Sequence, residues 1–379
     1  MLRFLLPFLV ITPPLIYQMV ALWCGRSFFH RRGAAHDGTC PPVTILKPVK
    51  GMDAESFANF ASFCRQEYPV WQIVFAVASP EDQAIPVIEL LRREFPDVDC
   101  DLVVDGRIHG PNYKVCNLIN AWPRAKHDIV IVCDSDIRVG PTYLRDVCAP
   151  FADPRVGLVT SLYRTSGVSG MGSAVEAMGF TVEMVPNVMV ALRLEGLSFA
   201  LGASMAVRRS VLEEIGGFPA LASYLADDYQ LGNKVFRNGY RIELAGSFVE
   251  SIIHRERLAT VLSRQLRWAR TMRVSRPAGY LASGITQPFP FALLALVVTG
   301  ITPAGIIAAA LLYLVRSVVA LVYSRCYVSD NVFPRWLWLL PCRDLLAFAT
   351  WGLSFLGNRV RWRGHLFHLH RGGEIEEIR

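Results

Sequence analysis

An apolar run of mostly β-branched residues that ends abruptly in two carboxylates constrains this fold more than any other stretch. Residues 129–133 read Ile-Val-Ile-Val-Cys, and Asp134 and Asp136 follow with only Ser135 between them. Such a run is typical of a strand buried on both faces of a parallel sheet. Open α/β sheets bind their ligands at the carboxyl ends of strands. The two carboxylates therefore indicate either a site for a cation and its phosphates or a turn that caps the next helix.

Strand-like and helix-like patterns alternate around this run. Runs of apolar residues that predict strands are separated by amphipathic stretches that predict helices. This alternation predicts an α/β domain with a mostly parallel sheet and right-handed connections. The predicted strands cover residues 43–46, 72–78, 100–104, 156–161 and 199–207, and the predicted helices cover 54–66, 84–94, 114–122 and, with a break near Pro186, 173–194.

The hydrophobic residues, 52% of the 379-residue chain, are concentrated near its two ends. Residues 4–23 carry no charge and are long enough to cross a bilayer. A basic cluster over residues 26–32 follows, which favours an uncleaved anchor with a cytoplasmic carboxyl side over a signal peptide. Residues 287–324 contain one charge, Arg316, and predict two spans joined by a tight turn. A further apolar stretch, residues 336–355, either spans the membrane or lies in its interface.

The pattern predicts five parts along the chain. A polar linker over residues 33–42 is expected between the first part and the second. The parts are a transmembrane anchor (1–25), a cytoplasmic catalytic domain (40–255), basic interfacial helices (256–284), transmembrane or interfacial helices (285–357) and a tail that is first basic and then acidic (358–379).

Charge and cysteine content narrow the classes of partner. The formal net charge is +7, and arginines cluster near the apolar ends, which favours anionic membrane surfaces or phosphates over nucleic acid. The nine cysteines show neither a Cys-x-x-Cys pair nor metal-ligand spacing. They are expected to be reduced thiols, in agreement with a cytoplasmic catalytic domain.

Five motifs occur in a fixed order, and together they resemble the ceramide glucosyltransferase family of inverting, membrane-bound enzymes with a GT-A fold. The resemblance extends over about residues 1–379, and residues 225–232 and 266–272 look most like its bacterial, hopanoid-associated branch. Animal members have a glycine where Asp136 stands. The motifs are Ile45–Gly51, Cys133–Val139, Asp227-Asp228-Tyr229, Arg264-x-x-Arg267-Trp268 and Gly372–Ile378.

The resemblance implies a role for each acidic pair. Asp134 and Asp136 would hold a divalent cation, Mg²⁺ or Mn²⁺, which stabilises the charge that grows on a departing UDP. Direct displacement at a sugar carbon requires a base for the acceptor hydroxyl, and Asp228 matches the family's base, with Asp227 beside it. A helix cap with a first-turn acid is the alternative for this second pair.

Further residues are predicted to bind the donor. Asp99 matches the family's first acidic position, whereas Asp82 lies at the carboxyl end of a predicted strand, and Asp101 and Asp105 are rivals to both. Lys114 either reaches the nucleotide or faces solvent. By resemblance Arg264, Arg267 and Trp268 lie against the diphosphate and the acceptor entrance, and arginine suits phosphate through its forked donors. A cationic interfacial helix with a tryptophan anchor is the alternative for that motif.

The resemblance implies a hexosyltransferase at a bacterial inner membrane, and the apolar stretches predict an integral, multi-pass membrane protein. It would transfer glucose or N-acetylglucosamine from a UDP-sugar to a hydroxyl of a membrane lipid. The acceptor would be a hopanoid polyol such as bacteriohopanetetrol, or ceramide. A processive polysaccharide synthase, or a non-catalytic membrane scaffold with a glycosyltransferase-like fold, are the alternative predictions.

Overall fold

The computed structural model describes residues 2–31, 40–53 and 55–378. Most of the predicted linker over 33–42 and the first residue of the predicted helix over 54–66 lie outside these ranges. Contacts between Cα atoms divide the chain into two compact units. The first, here called the sheet unit, comprises Ala35–Ser166, Glu195–Ile252 and Gly373–Arg379, and the second, the helical unit, comprises Met1–Ala34, Gly167–Leu194 and Ile253–Gly372.

Strands and helices are numbered along the chain. The strands are β1 (Val43–Val49), β2 (Trp71–Val77), β3 (Asp99–Val104), β4 (Ile129–Cys133), β5 (Ile137–Arg138), β6 (Val156–Thr160), β7 (Tyr163–Ser166), β8 (Ser204–Arg208), β9 (Arg241–Leu244), β10 (Val249–Ile252), β11 (Arg359–Trp362), β12 (His365–Leu369) and β13 (Ile375–Glu377). The helices are α1 (Leu2–Arg31), α2 (Ser56–Cys64), α3 (Ala84–Glu94), α4 (Tyr113–Ala121), α5 (Tyr143–Cys148), α6 (Met171–Gly179), α7 (Val185–Glu195), α8 (Arg209–Glu214), α9 (Asp227–Arg237), α10 (Leu258–Ser275), α11 (Pro277–Ala282), α12 (Pro288–Thr299), α13 (Pro303–Val322) and α14 (Leu340–Ser354).

A seven-stranded sheet organises the sheet unit, with strand order β3-β2-β1-β4-β8-β6-β9. Neighbouring strands are parallel except that β8 runs antiparallel to both β4 and β6. Every residue of β1 and of β4 is buried, as expected for central strands covered on both faces. Because parallel strands run in the same direction, the residues that follow β1, β2, β3 and β4 all emerge at the carboxyl edge of the sheet.

A second, three-stranded sheet supports the turn that contains Asp134 and Asp136. Its order is β5-β10-β7, and β5 begins at Ile137, directly after that turn. The backbone N–H of Ile252 donates to the carbonyl of Asp136 (3.2 Å). These strands of two to four residues were absent from the predictions, because strands this short carry too little periodicity to be recognised.

The helical unit contains the helices that are apolar enough to cross a membrane. Three of the described helices meet that requirement of length and composition: Leu5–His30, Met171–Glu195 and Pro303–Val328. A fourth span results if the pair Pro277–Thr286 and Pro288–Thr299, which is bent by 64°, is counted as one. The predicted pair of spans over 287–324 therefore consists of the short α12 and the long α13, with Gly300 in a left-handed conformation between them.

The predicted helix over 173–194 differs from expectation in two respects. No break occurs at Pro186; instead a π-helical segment, Phe180–Met184, precedes it and joins α6 to α7. Proline cannot donate to the preceding turn, and a wider turn accommodates that missing hydrogen bond. Residues 167–194 also cluster with the helical unit, so the predicted continuous domain over 40–255 is interrupted there.

A buried ion pair accounts for the charges inside two apolar helices. The Arg316 guanidinium lies 2.9 Å from the Asp344 carboxylate, and the two side chains are 3% and 1% exposed. Arg316 also donates to the carbonyl of Val182 (2.9 Å). A charge in an apolar segment needs such a partner, because leaving it unpaired is costly. The stretch over 336–355 mostly forms α14, which has 15 residues and is not among the candidate spans.

Candidate active site

A lysine joins the two acidic motifs at the carboxyl edge of the main sheet. The Lys114 Nζ atom lies 2.8 Å from Asp134 Oδ1 and 3.3 Å from Asp227 Oδ2. Only 13% of the lysine side chain is exposed. Burial disfavours the lysine's charge, but the nearby Asp134 and Asp227 carboxylates outweigh it and raise the pKa of Lys114. Motifs that are 93 residues apart in the sequence (134 to 227) therefore meet at one ammonium group.

Asn112 fixes the start of the helix that carries this lysine. Its side-chain oxygen accepts the backbone N–H of Val115 (3.2 Å) and so caps α4. Its amide nitrogen donates to the carbonyl of Tyr224 (2.7 Å), in the loop that leads to Asp227. One side chain thus positions both Lys114 and the second acidic pair.

The carboxyl-terminal tail pairs with the same loop. The backbone N–H of Ile375 donates to the carbonyl of Ser223 (2.8 Å), and Tyr224 forms an isolated β-bridge with Glu374. The Tyr224 hydroxyl also donates to the Glu374 carboxylate (3.1 Å). The acidic tail motif therefore lies against the segment that precedes the second acidic pair, a contact that sequence reasoning missed.

Asp228 lies in the first turn of α9 without an ion-pair partner among the described residues. One of its oxygens accepts the backbone N–H of Tyr229 (2.8 Å). Burial, and then the charge of Asp227, raise the pKa of Asp228 to about 6, against the opposing effect of Lys114. A carboxylate with a pKa close to neutral pH is well matched to accept a proton.

Gly202 allows Asp228 to occupy this position, and sequence reasoning missed it. A Cβ atom on Gly202 would lie 2.9 Å from Asp228 Oδ2 and 3.4 Å from its Cβ. The predicted strand over 199–207 contains this glycine, and a glycine inside a strand pattern often marks a close approach. The actual strand, β8, begins only at Ser204, after the close approach.

Asp136 is the second carboxylate of the Asp-Ser-Asp turn and has no cation within ion-pair distance in the described ranges. Ser251 donates to one of its oxygens (3.4 Å). Burial raises the pKa of Asp136 to about 6, helped by the charges of Asp134 and Asp53. Asp53 also accepts a hydrogen bond from Ser135 (3.3 Å), so a third carboxylate approaches this turn.

Lys47 supports the same turn from inside the protein. Its side chain is fully buried, and its Nζ atom donates to the backbone carbonyl of Asp134 (2.9 Å). The ammonium also lies 3.7 Å from the centre of the Phe63 ring, where a cation is attracted to the aromatic face. Burial lowers the pKa of Lys47. The Lys-Pro-Val-Lys-Gly sequence suggested no such role, because the contact depends on β1 lying beside β4.

The candidate nucleotide contacts fall at opposite ends of the sheet. Asp82 follows β2, and its oxygens accept the backbone N–H groups of Gly51 (2.9 and 3.0 Å) and Ala84 (2.9 Å), which joins the loops after β1 and β2. Asp105, which follows β3, is hydrogen-bonded to Arg107. The structure brings both to the edge that carries Asp134.

Asp99 is not brought to that edge. It begins β3 and pairs with Lys126 (2.7 Å), about 16 Å of strand away from the carboxyl end. Asp101 lies further along the same strand and accepts from Gln72 (3.2 Å). Asp99, the match by family position, therefore lies at the opposite end of its strand from the edge that carries Asp134 and Asp136.

Arg264, Arg267 and Trp268 all lie on α10 in the helical unit. Arg264 forms ion pairs with the Glu176 and Glu256 carboxylates, so its charge is neutralised. The guanidinium carbons of Arg264 and Arg267 lie 6.0 and 5.9 Å from the centre of the Trp268 ring, which is 38% exposed. Neither glutamate was predicted, since nothing in their local sequence distinguishes them.

The chemistry of the Asp-Ser-Asp turn fits a cation that is shared with phosphate. Among the described residues there is no group of three or more His, Cys, Asp or Glu side chains that could hold a metal ion. Two carboxylates from one turn leave most positions around Mg²⁺ for phosphate oxygens and water, which is how this ion is commonly bound. Asp134 and Asp136 therefore suit a metal that arrives with a diphosphate.

Comparison with known proteins identifies relatives over almost the whole chain. Ceramide glucosyltransferase 3 of Caenorhabditis elegans is 25% identical over 370 residues, which cover 95% of this chain and 79% of that protein. The ceramide glucosyltransferase of Komagataella phaffii is 39% identical over 102 residues, which cover 26% of this chain and 20% of that protein.

Two solved structures are similar at a lower level. The mannosyltransferase PcManGT from Pyrobaculum calidifontis, in complex with GDP-Man and Mn²⁺, has a TM-score of 0.49 and 17% identity over 90% of this chain and 98% of that one. S. aureus TarS 1-349 in complex with UDP-GlcNAc has a TM-score of 0.43 and 13% identity over 89% of this chain and 99% of that one. At these values neither likeness bears on the substrate or metal of this chain.

A family model described as glycosyl transferase family 21 matches residues 6–375. This match confirms the predicted resemblance, the hexosyltransferase class and the fold class, a GT-A α/β domain with apolar helices in its amino-terminal and carboxyl-terminal regions. The chain thus belongs to glycosyl transferase family 21.

Proposed function

We propose that this protein is a membrane-bound inverting glycosyltransferase that transfers a sugar from a UDP-sugar to a hydroxyl of a membrane lipid. The observation that carries the proposal is the convergence of Asp134, Asp227 and the adjacent Asp228 around Lys114 at the carboxyl edge of the sheet. This convergence supports a diphosphate site that lies next to the base for the acceptor hydroxyl.

The reaction is a single displacement. The acceptor oxygen bonds to the anomeric carbon of the donor while the bond from that carbon to UDP breaks, and UDP departs with the bonding electrons. Asp228 takes the proton of the acceptor hydroxyl, a role that its raised pKa supports. Attack opposite the leaving group inverts the anomeric centre.

Asp134 and Asp136 are the residues that would hold Mg²⁺ or Mn²⁺. When bound, the cation supplies a positive charge that stabilises the departing diphosphate. Lys47 and Lys114 hold the turn and its carboxylate in place. Asp227 shares Lys114 with Asp134 and thereby keeps the base next to the leaving-group side of the site.

We further propose that Asp82, rather than Asp99, contributes to the nucleotide site, because Asp82 lies at the acidic edge and orders the loops after β1 and β2. Arg267 and Trp268 remain proposed contacts of the diphosphate and acceptor. Arg264 would serve by holding α10 in place through its two glutamates.

A lipid acceptor is supported by the apolar helices and by the relatives named as ceramide glucosyltransferases. We favour a hopanoid polyol such as bacteriohopanetetrol with N-acetylglucosamine, on the sequence resemblance to the hopanoid-associated branch. Ceramide with glucose is the second candidate, on the names of the relatives. In both cases the enzyme would be an integral membrane protein, at the inner membrane if its source is bacterial.

Transfer assays on the purified full-length protein test the function. The protein in lipid nanodiscs is given radiolabelled UDP-glucose or UDP-N-acetylglucosamine with ceramide, bacteriohopanetetrol or a bacterial lipid extract. We expect label in a lipid carrying one sugar, a β-linkage formed from the α-linked donor, and loss of transfer with EDTA that Mg²⁺ or Mn²⁺ reverses. Labelled polymer would instead identify a processive synthase, and no transfer to any lipid would support the non-catalytic scaffold.

A further inference from the structure

A basic pocket in the helical unit lies between the end of α10 and the segment that follows α14. The cavity has a volume of about 760 Å³. Its lining includes two arginines of α10, Arg270 and Arg273, and the apolar side chains of Phe355 and Leu356. Arg359 and His368, from β11 and β12, complete the basic part of the lining.

The two arginines have only neutral hydrogen-bond partners. Arg270 donates to the carbonyl of Arg359 (2.6 Å), and Arg273 donates to the carbonyl of Gly357 (3.2 Å) and to the side chain of Asn358. Neither has a carboxylate within ion-pair distance anywhere in the described ranges. This contrasts with the buried Arg316 of the same unit, which is paired to an aspartate.

Both arginines also have hydrogen-bond donors that no described protein group accepts. The Nε atoms of Arg270 and Arg273 are buried and have no hydrogen-bond partner among the described residues. A buried guanidinium donor without an acceptor is costly, and a bound ion is one of the ways in which proteins satisfy such a group. Burial and the neighbouring Arg273 charge also lower the pKa of Arg270, as expected for uncompensated cations.

Large apolar side chains are exposed beside the arginines of the pocket. Leu356 is 76% exposed and Phe355 is 43% exposed, although both are large apolar side chains. The Arg273 guanidinium lies 5.7 Å from the centre of the Phe355 ring. Exposed apolar groups beside arginines are the combination that binds lipid headgroups at the acyl boundary.

We propose that this basic pocket binds the phosphate of an anionic phospholipid headgroup, with the acyl chains along Phe355 and Leu356. Arginine forks suit phosphate oxygens, which can accept the donors that the protein leaves unused. The ligand differs from the proposed acceptors, because neither ceramide nor a hopanoid polyol carries a phosphate. Inorganic phosphate offers the same oxygens without acyl chains and is the other source of this chemistry.

Retention of lipids by the intact, detergent-purified protein tests the site without any assay of turnover. Native mass spectrometry is run with equal amounts of phosphatidylglycerol and phosphatidylcholine. We expect the wild-type protein to prefer phosphatidylglycerol, and R270Q/R273Q to lose about tenfold or more of that preference. The matched control is R361Q/R363Q, which removes the same charge from exposed arginines outside the pocket and should lose less than about twofold.

Equal losses in the two double variants would overturn the proposal in favour of diffuse attraction, as would a wild-type protein without preference for the anionic lipid. The lipid preference of the wild-type protein can be measured even if R270Q/R273Q does not fold. A thermal shift measured with inorganic phosphate separates the two sources. Stabilisation by phosphatidylglycerol but not by millimolar phosphate supports the headgroup, and the reverse would overturn the lipid assignment.

Discussion

The sheet unit and the helical unit each hold a cation between two carboxylates, but the carboxylates differ in kind. Lys114 lies between two aspartates of the acidic motifs, whereas Arg264 lies between two glutamates that have no proposed part in the chemistry. The two arrangements are Lys114 with Asp134 and Asp227, and Arg264 with Glu176 and Glu256.

The difference shows which charges are available to a ligand. In the sheet unit, the carboxylates of Asp136 and Asp228 have no ion-pair partner in the described part of the chain, and their pKa values are raised to about 6. A metal can compete with Lys114 for Asp134 and relieve this crowding of negative charge. Around Arg264 each of the two glutamates accepts two hydrogen bonds from the guanidinium, so we expect that side chain to hold helices together.

The largest effect is expected from Asp228→Asn, which keeps the shape of the side chain but removes the proposed base. Turnover should fall about 10²–10⁴-fold, because that is the usual contribution of general base catalysis. UDP binding should be almost unchanged, since the departing diphosphate is proposed to lie at the other acidic pair, Asp134 and Asp136. Rates of transfer to lipid and calorimetric titration with UDP measure the two quantities.

Asp97→Asn is the matched control, because Asp97 is an exposed carboxylate of the same unit. It should leave both quantities at wild-type values. Normal turnover in Asp228→Asn would exclude Asp228 as the base.

Lys114→Met is expected to have the next largest effect. It tests directly whether Lys114 and Arg264 have different roles. Removing the ammonium leaves two carboxylates uncompensated and should lower the free energy of unfolding by about 1–3 kcal/mol. Mn²⁺ should restore stability more in this variant than in the wild type, because a cation can replace the lost charge. For Arg264→Met we expect a loss that no divalent cation reverses. Thermal unfolding with and without Mn²⁺ measures both.

Lys126→Met provides the control for loss of a lysine ion pair. Lys126 pairs with Asp99, and the two side chains are 51% and 42% exposed, so the loss should stay below about 1 kcal/mol. If Mn²⁺ stabilised Lys114→Met and the wild type equally, the proposed exchange between lysine and metal would not hold.

Gly202→Ala should have a smaller effect that is confined to catalysis. The new Cβ atom would displace the Asp228 carboxylate, which lies 2.9 Å away, by a few tenths of an ångström or more. We expect roughly a tenfold loss of kcat, because rates depend steeply on the placement of reacting groups. Gly140→Ala, where no atom lies within 4 Å of the added methyl group, is the control. Equal activity in the two variants would show that Asp228 tolerates the shift.

Much of the sheet could be predicted because its central strands are long and continuously apolar. The helix predicted over 84–94 has the observed bounds, and β4 ends at Cys133 as predicted. The acidic residues were placed after a strand and at a helix start, which local patterns indicate. The prediction that Asp99 contacts the nucleotide rests on family position alone, and Asp99 lies at the amino end of β3, where the predicted strand over 100–104 also placed it.

The contacts that make the site specific could not be predicted in the same way. The approach of Lys114 to Asp134 depends on how α4 packs beside the sheet, and no local pattern encodes it. The same holds for the assignment of residues 167–194 to the helical unit, because an apolar helix fits a soluble core and a membrane equally well by periodicity.

The smallest expected effect is the dependence of kcat/KM on pH, and it tests which of the two raised carboxyl groups acts as the base. Asp228 must be ionised to accept a proton, so kcat/KM should be halved at about pH 6 and fall further at lower pH. Because the native group holds its proton more tightly than an unfolded aspartate does, acidification from pH 6 to 4 should also increase its contribution to the free energy of unfolding. The fall of kcat/KM at low pH should persist in Asp136→Asn and should be absent from the residual activity of Asp228→Asn. The opposite pattern would assign the fall of kcat/KM to the Asp-Ser-Asp turn. The carboxylates of that turn would then have to be ionised before the donor binds.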